Sequence, residues 1–464
     1  LNACQNKIED NASKNGADIL PNIFLFLADD MTWKDCSVYG NMDVKTPHLQ
    51  SLADNGMTFH NMFTATAMCA PTRQQLYTGI YPVRNGAYPN HSQVHSGVKS
   101  LVHHFKAQGY QVALIGKKHF GPQASFPFEY LGGKGSDKGG NSTDINLEFI
   151  DPVINSDKPF VLILAQNQPH LPWTRGNPSQ YNADELTIPE YLVDTPFTRE
   201  ELTKYYAEIT YMDSLLGVCL NKIEIAGKTD NTISIFTSEQ GSTHPFAKWT
   251  CYDRGLKTGF IAQWPGKIEK GSKNEALCQY VDVVPTLLEA IGVKSELVNT
   301  GITDFNGKNT FDGKSFLPIL LGKEEEHADM VYGVHTTVGI NNGSENYPVR
   351  SVRTKAFKYI RNLSHEIPFQ NNETELEGKH YPDWFEATKN DSDLNQWISK
   401  YQYRPYEELY DIINDPWEKT NLAENANYDD IRSKLSLALD KWMLQQGDSG
   451  IITELKAPER MAKN

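Results

Sequence analysis

Ile23-Phe24-Leu25-Phe26-Leu27-Ala28 runs straight into Asp29-Asp30. A strand with one wet face alternates apolar and polar residues, and this run does not alternate. It predicts a strand buried on both faces, as in a parallel sheet covered by helices. Three further runs share the form. Tyr110 to Ile115 precedes Gly116-Lys117-Lys118-His119, and Phe160 to Ala165 precedes Gln166-Asn167-Gln168-Pro169-His170. Thr232 to Thr237 precedes Ser238-Glu239-Gln240-Gly241.

Helical signals lie between these runs. Thr46-Pro47 opens a helix that Gly56 closes, and Ser100 to Gln108 stops at Gly109. The longest helix is expected to start at Thr198, with Glu201 completing a capping box, and to end near Gly227. Its Tyr205, Ile209, Met212, Leu216, Cys219 and Ile223 recur at helical spacing, which makes them core positions. Asp282 to Leu288 begins another helix, ending near Gly292. Beyond about residue 325 the texture changes. Met330 to Val338 and Val349 to Asn362 read as strands of an antiparallel sheet, followed by a helix from about Asp429 to Gln446. The expected division is a tether over 1–20, a catalytic domain over 21–325 and a smaller α/β subdomain over 326–464.

Composition narrows the function. The 464 residues hold 44 Lys and Arg against 58 Asp and Glu, a net charge of −14, which disfavours nucleic acid as a partner. No apolar run approaches the roughly 20 residues of a membrane-spanning helix. The 6 cysteines lack CxxC spacing, so they form neither a zinc frame nor a disulfide scaffold. Leu1-Asn2-Ala3-Cys4 and the polar stretch after it resemble the end of a bacterial lipoprotein signal. Export is therefore expected, to a periplasmic, lipid-anchored or extracellular site, or to a lysosome in a eukaryote.

Ligands of a parallel sheet bind outside the carboxyl ends of its strands. Here those ends carry Asp29-Asp30, Lys117 with His119, His170, and Glu239-Gln240. Carboxylate and amide oxygens suit a hard divalent cation, whereas Lys and His suit a bound anion and proton transfer to a leaving group. One polar tail would be an ordinary loop. Four tails of complementary chemistry make a site.

Cys69-Ala70-Pro71-Thr72-Arg73, trailed by Leu76-Tyr77-Thr78-Gly79, resembles the Cys-x-Pro-x-Arg signature of the type I formylglycine-dependent sulfatases. The resemblance covers nearly the whole chain. It implies an alkaline-phosphatase-like α/β fold, with a mostly parallel sheet flanked by helices and a smaller C-terminal subdomain. It also implies that Cys69 is oxidised to formylglycine, whose hydrate offers one hydroxyl to attack sulfur and another to expel sulfate. A formylglycine-generating or anaerobic sulfatase-maturing enzyme would make that change during synthesis. Asp29, Asp30, Glu239, Gln240 and the modified Cys69 would hold Ca2+. Glu239-Gln240 departs from the family's usual Asp followed by Asn or His, each side chain being one methylene longer. Arg73 would hold the hydrated aldehyde, and Lys117, His119, His170 and Lys248 would bind sulfate and manage its protons. Gly116-Lys117-Lys118-His119-Phe120-Gly121-Pro122 and Tyr347-Pro348-Val349-Arg350 are similar to the branch that includes N-sulfoglucosamine sulfohydrolase. On that similarity His91, His95, His244 and His335 are candidate sugar contacts, and the substrate is a sulfated oligosaccharide or polysaccharide. The alternatives are a phosphonate or phosphate ester hydrolase of the same superfamily, or an inactive glycan-binding protein on the same fold.

Overall fold

The structure is a computed structural model that describes residues 20–132, 145–374 and 379–461. Cys4 and the proposed lipoprotein start lie outside the described residues.

The main sheet is built from β1 (Asn22–Ala28), β2 (Met57–Phe63), β3 (Gln111–Gly116), β4 (Glu129–Tyr130), β5 (Phe160–Ala165), β6 (Thr232–Ser238), β7 (Lys257–Gln263), β8 (Ser272–Asn274) and β9 (Cys278–Gln279). Its order is β4-β3-β5-β1-β6-β7-β2-β8, with β9 also on β2. The four apolar runs form the contiguous parallel block β3-β5-β1-β6. Alternation along β1 shows why no polar residue interrupts it. Phe24, Phe26 and Ala28 enter one hydrophobic cluster, while Ile23, Leu25 and Leu27 enter a second on the opposite face. Strand β7 runs antiparallel to both neighbours, β6 and β2.

Register then positions the chemistry. Gly116, Ala165, Leu27 and Thr237 form one row across β3, β5, β1 and β6. Lys117 and Gln166, one residue beyond that row, and Asp29 and Glu239, two beyond it, therefore emerge along one edge. Gly116 carries a φ of +94°, and a Cβ there would lie 2.2 Å from the Ala165 carbonyl oxygen, so only glycine lets the chain turn at this point.

The long helix spans Pro196–Ile225 and starts earlier than the capping-box pattern predicts. Thr195 is its cap, its hydroxyl accepting from the Thr198 amide at 3.0 Å, and Pro196 takes the first helical position. All six core residues foreseen along it are buried. Burial also pushes the Cys219 thiol up to about 12, so it packs as an apolar side chain.

In the C-terminal part β10 (Val331–His335), β11 (Val349–Arg353), β12 (Phe357–Asn362) and β13 (Glu407–Asp411) form an antiparallel sheet in that order. The single stretch expected over Val349 to Asn362 is a hairpin. Thr354 turns it, its amide donating to the Phe357 carbonyl at 2.8 Å and its hydroxyl accepting from the Phe357 amide at 3.0 Å. The helix Asp429–Gln446 buries Leu435, Leu439 and Trp442. Tyr347, Val349, Ile360, Trp384 and Tyr410 join the cluster that covers one face of the main sheet, so the two sheets share a core. Our proposed division at 325/326 follows the change of sheet rather than a break in packing.

Candidate active site

Cys69 is the first residue of the helix Cys69–Thr78, and all ten residues of that helix are buried. Met68 precedes it in extended conformation, its carbonyl accepting the Thr72 amide at 2.9 Å. Pro71, which lacks an N–H, sits in the first turn, where the amides have no intrahelical acceptor. The Cys69 side chain thus lies at the positive end of the helix, facing the sheet edge.

The strand ends close around it. Cys69 Sγ lies 3.7 Å from Asp29 Oδ1 and 3.9 Å from Asp30 Oδ1. Gln240 Nε2 reaches Cys69 Sγ at 3.4 Å and donates to Asp30 Oδ1 at 2.6 Å. Lys248 donates to the other Asp30 oxygen at 2.6 Å, and Lys117 pairs with Asp29. Arg73 pairs with Glu239, lies 3.8 Å from Asp29 and donates to the Lys117 carbonyl at 3.1 Å. Three buried carboxylates therefore face three buried cations. Asp30 holds a φ of 60°, a conformation unusual for a residue with a Cβ, and these bonds fix it there.

The metal-ligating atoms that converge within 4.8 Å of one another belong to Asp29, Asp30, Cys69 and His170. Glu239 lies outside that group. Its carboxylate pairs with Arg73. Gln240 remains beside Asp30 and Cys69, and its Oε1 is buried without a hydrogen-bond partner.

Electrostatics follow from burial and pairing. Burial works against the Asp29 charge, yet Lys117 and its other neighbours hold that carboxyl well below the ordinary range. Burial outweighs Arg73 at Glu239 and, with Asp29 alongside, pushes that carboxyl up. Burial and the nearby Glu239 push the Cys69 thiol up, so the unmodified side chain is a thiol and a poor nucleophile. Burial pulls His170, His119 and His91 down, with Lys117 adding to the effect at all three.

A pocket of about 120 Å³ opens over this cluster. Cys69, Lys117, His119, His170, Lys248 and His91 line it. His91 Nδ1 and His119 Nε2 lie 2.8 Å apart, and Asn90 meets the other nitrogen of His91 at 3.1 Å. The other proposed sugar contacts are placed elsewhere. His95 packs against Gly86, next to Arg460. His244 is 1% exposed, sharing a hydrogen bond with Ser242 at 2.9 Å and packing on Tyr205 and His380. His335 is fully buried against Phe369. Neither His244 nor His335 is among the residues that line the pocket. Asn90, Trp249, Asn341 and Asn372 also line the pocket, and sequence reasoning missed them. Lys248 sits over the Trp249 ring at 4.7 Å, so the residue beside a recognised lysine was the available signal.

The model of the family described as sulfatase matches residues 21–293, more than half of the chain and every strand end of this site. The chain belongs to the sulfatase family. A second model, described as N-sulphoglucosamine sulphohydrolase, C-terminal, matches residues 241–374 of this sulfatase. It is 36% identical to an ulvan-active sulfatase of Formosa agariphila, over 92% of this chain and 81% of that one. It is 28% identical to the human N-sulphoglucosamine sulphohydrolase, with 94% of each chain covered. A solved structure in complex with its substrate D-glucosamine-2-N,6-O-disulfate superposes with a TM-score of 0.68 at 21% identity, covering 93% of this sulfatase and 99% of that chain. At that identity the likeness shows the fold, which is the alkaline-phosphatase-like one. This sulfatase is a sulfuric ester hydrolase.

Proposed function

We propose that the chain removes sulfate from a sulfated oligosaccharide or polysaccharide, using a formylglycine made from Cys69 and a calcium ion. One observation carries the reading. The Cys69 sulfur lies within 4 Å of Asp29 and Asp30, in a pocket whose remaining charged lining is Lys117, Lys248 and histidines. The relatives act, by their names, on ulvan and on N-sulphoglucosamine, and this supports a carbohydrate substrate.

The residues fit both groups. Asp29, Asp30 and Gln240, with Glu239 behind them, form an oxygen-rich donor set suited to calcium. The orphaned Gln240 Oε1 is the acceptor such an ion would satisfy, because a half-turn of the amide exchanges its oxygen and nitrogen. When present, formylglycine supplies a hydrated aldehyde with paired hydroxyls for attack and release, and calcium polarises a sulfate oxygen.

The chain's own groups do the rest. Lys117 and Lys248 are fixed ammoniums in a dry pocket, placed before reaction begins to meet charge on the sulfate oxygens and the leaving atom. Arg73 holds Glu239 and the helix start in place. His170 Nδ1 lies 2.6 Å from the Leu171 carbonyl, so Nδ1 carries the hydrogen and Nε2 is the atom through which a proton moves. The His91–His119 pair also lines the pocket. Cys69 is 3% exposed, so the maturing enzyme must act before the chain folds. Export to the cell envelope or beyond belongs to the same proposal.

The test is a protein co-expressed with a maturing enzyme and assayed on N-sulfoglucosamine, O-sulfated oligosaccharides, an aryl sulfate and a phosphonate ester. Peptide mapping should find an aldehyde-reactive residue at position 69, and Cys69→Ala should abolish turnover while keeping the melting temperature. Full activity in the Ala variant, or rapid phosphonate cleavage with no sulfate release, would overturn the reading.

A further inference from the structure

Away from the catalytic pocket, two cavities of about 350 and 220 Å³ share Met330, Tyr332, Trp442 and Gln445. Together they form one groove between the start of β10 and the helix Asp429–Gln446. Tyr332 and Trp442 stack at its floor, 4.9 Å apart and 1° from parallel, and Tyr81 meets Trp442 edge-on at 5.1 Å. Trp442 is buried and Tyr332 half-buried, so the tyrosine is the part of the stack open to a ligand.

The groove also holds polar groups. Gln446 is 5% exposed, and its Oε1 has no hydrogen-bond partner. The buried Trp442 Nε1 faces the Tyr81 hydroxyl, which can accept from it while donating to Gln279 at 2.7 Å. Among the described residues the Tyr332 hydroxyl meets the Met330 sulfur, at 3.9 Å. A buried polar atom left unpaired is costly, so a ligand hydroxyl that reaches one gains a hydrogen bond. On the outer rim stand Lys434 and Lys441, both exposed, and among the described residues neither has a carboxylate partner. Seven residues apart, they lie on one face of the helix at about 10 Å, a span comparable with one disaccharide. The nearby acids are engaged elsewhere. Asp440 pairs with Arg361 at 2.6 Å, Asp312 with Arg84 at 2.8 Å, and Asp282 accepts the Gln279 and Lys314 amides.

We infer that this groove is a second, non-catalytic binding site for an anionic polysaccharide. The ring face of a pyranose would stack on Tyr332, its hydroxyls would meet the unpaired Gln446 Oε1, and its sulfate or carboxylate groups would meet Lys434 and Lys441. The assignment rests on the sulfated-carbohydrate reading above. The groove sits near the start of β10, whereas Gly339 of the catalytic pocket lies beyond its end. That strand spans about 13 Å. Holding the polymer at a second point raises its local concentration at the catalytic pocket.

The test compares the unsubstituted protein with Lys434→Ala/Lys441→Ala and with Tyr332→Ala. Ulvan and heparin are titrated into the Cys69→Ala background so that neither is consumed, with a neutral polysaccharide as control. Polymer affinity should fall about tenfold in the double lysine variant, as expected for losing two exposed ion pairs, and its salt dependence should shrink. In the matured enzyme kcat/KM on a sulfated monosaccharide should stay within twofold, while KM on the polymer rises. Unchanged polymer binding in both folded variants overturns the inference, even if small sulfates are turned over. Loss of all sulfate turnover in the unsubstituted enzyme would instead defeat the parent reading. A concentration-dependent dimer that dissociates in the variants would mean a second copy covers the groove, and would also overturn the inference.

Discussion

Lys248→Met removes one ammonium from the catalytic pocket and keeps most of the stem. In the native arrangement Lys248 is 3% exposed and donates to Asp30 Oδ2 at 2.6 Å. At an effective dielectric of about 20, opposite charges at that separation attract by about 6 kcal/mol, most of it offset by the cost of burying both. Removing one partner strands the other, so the metal-free variant should lose about 3–5 kcal/mol of stability. Calcium beside Asp30 would replace much of the lost charge, and the variant's melting temperature should respond to calcium more strongly than wild type. Chemistry should suffer differently. Losing one preorganised donor to developing negative charge lowers kcat by roughly 10²–10³-fold, or about 2.7–4 kcal/mol. The interaction strengthens as the sulfur–leaving-group bond breaks, so KM should move less than about threefold. The assay is steady-state release of sulfate at saturating calcium, with formylglycine occupancy measured in each preparation. A variant within threefold of wild-type kcat at matched occupancy would show that Lys248 only holds Asp30.

The same site predicts that chelation removes activity and that calcium restores both activity and thermal stability. Calcium at a hundred times its Kd should add about 2.7 kcal/mol, whereas tight stoichiometric zinc in a fully active preparation would contradict the oxygen-rich ligand set. His244 predicts an acid-sensitive core, since burial pulls its imidazole down to about 3. The unfolded chain takes up that proton below about 6.5 and the folded chain does not, so stability is full above that pH and is lost as pH falls towards 3. By pH 5 the loss is about 2 kcal/mol, and denaturant titrations of His244→Phe should show a pH slope smaller by that amount.

How far the sequence reached depended on whether the signal was local. The runs ending at Ala28, Ile115, Ala165 and Thr237 read correctly as buried parallel strands, because a strand covered on both faces must be apolar at every position. The Cys69 pentapeptide and the helix Asp429–Gln446 were legible for the same reason. Strands β2 and β7 were missed. Histidine, asparagine, threonine, lysine and glutamine interrupt their apolar character, and their pairing with each other and with β6, β8 and β9 makes them strands. Rows of register alone bring Lys117, Asp29 and Glu239 to one edge, and the loop after β6 alone folds Lys248 back onto Asp30. The histidines show the boundary most clearly. His91 faces the pocket while His244 and His335 are sealed in the core, although nothing in their immediate sequence separates them. An imidazole is stable in either place, neutral and packed or wet and reactive, so only the surrounding packing decides which it becomes.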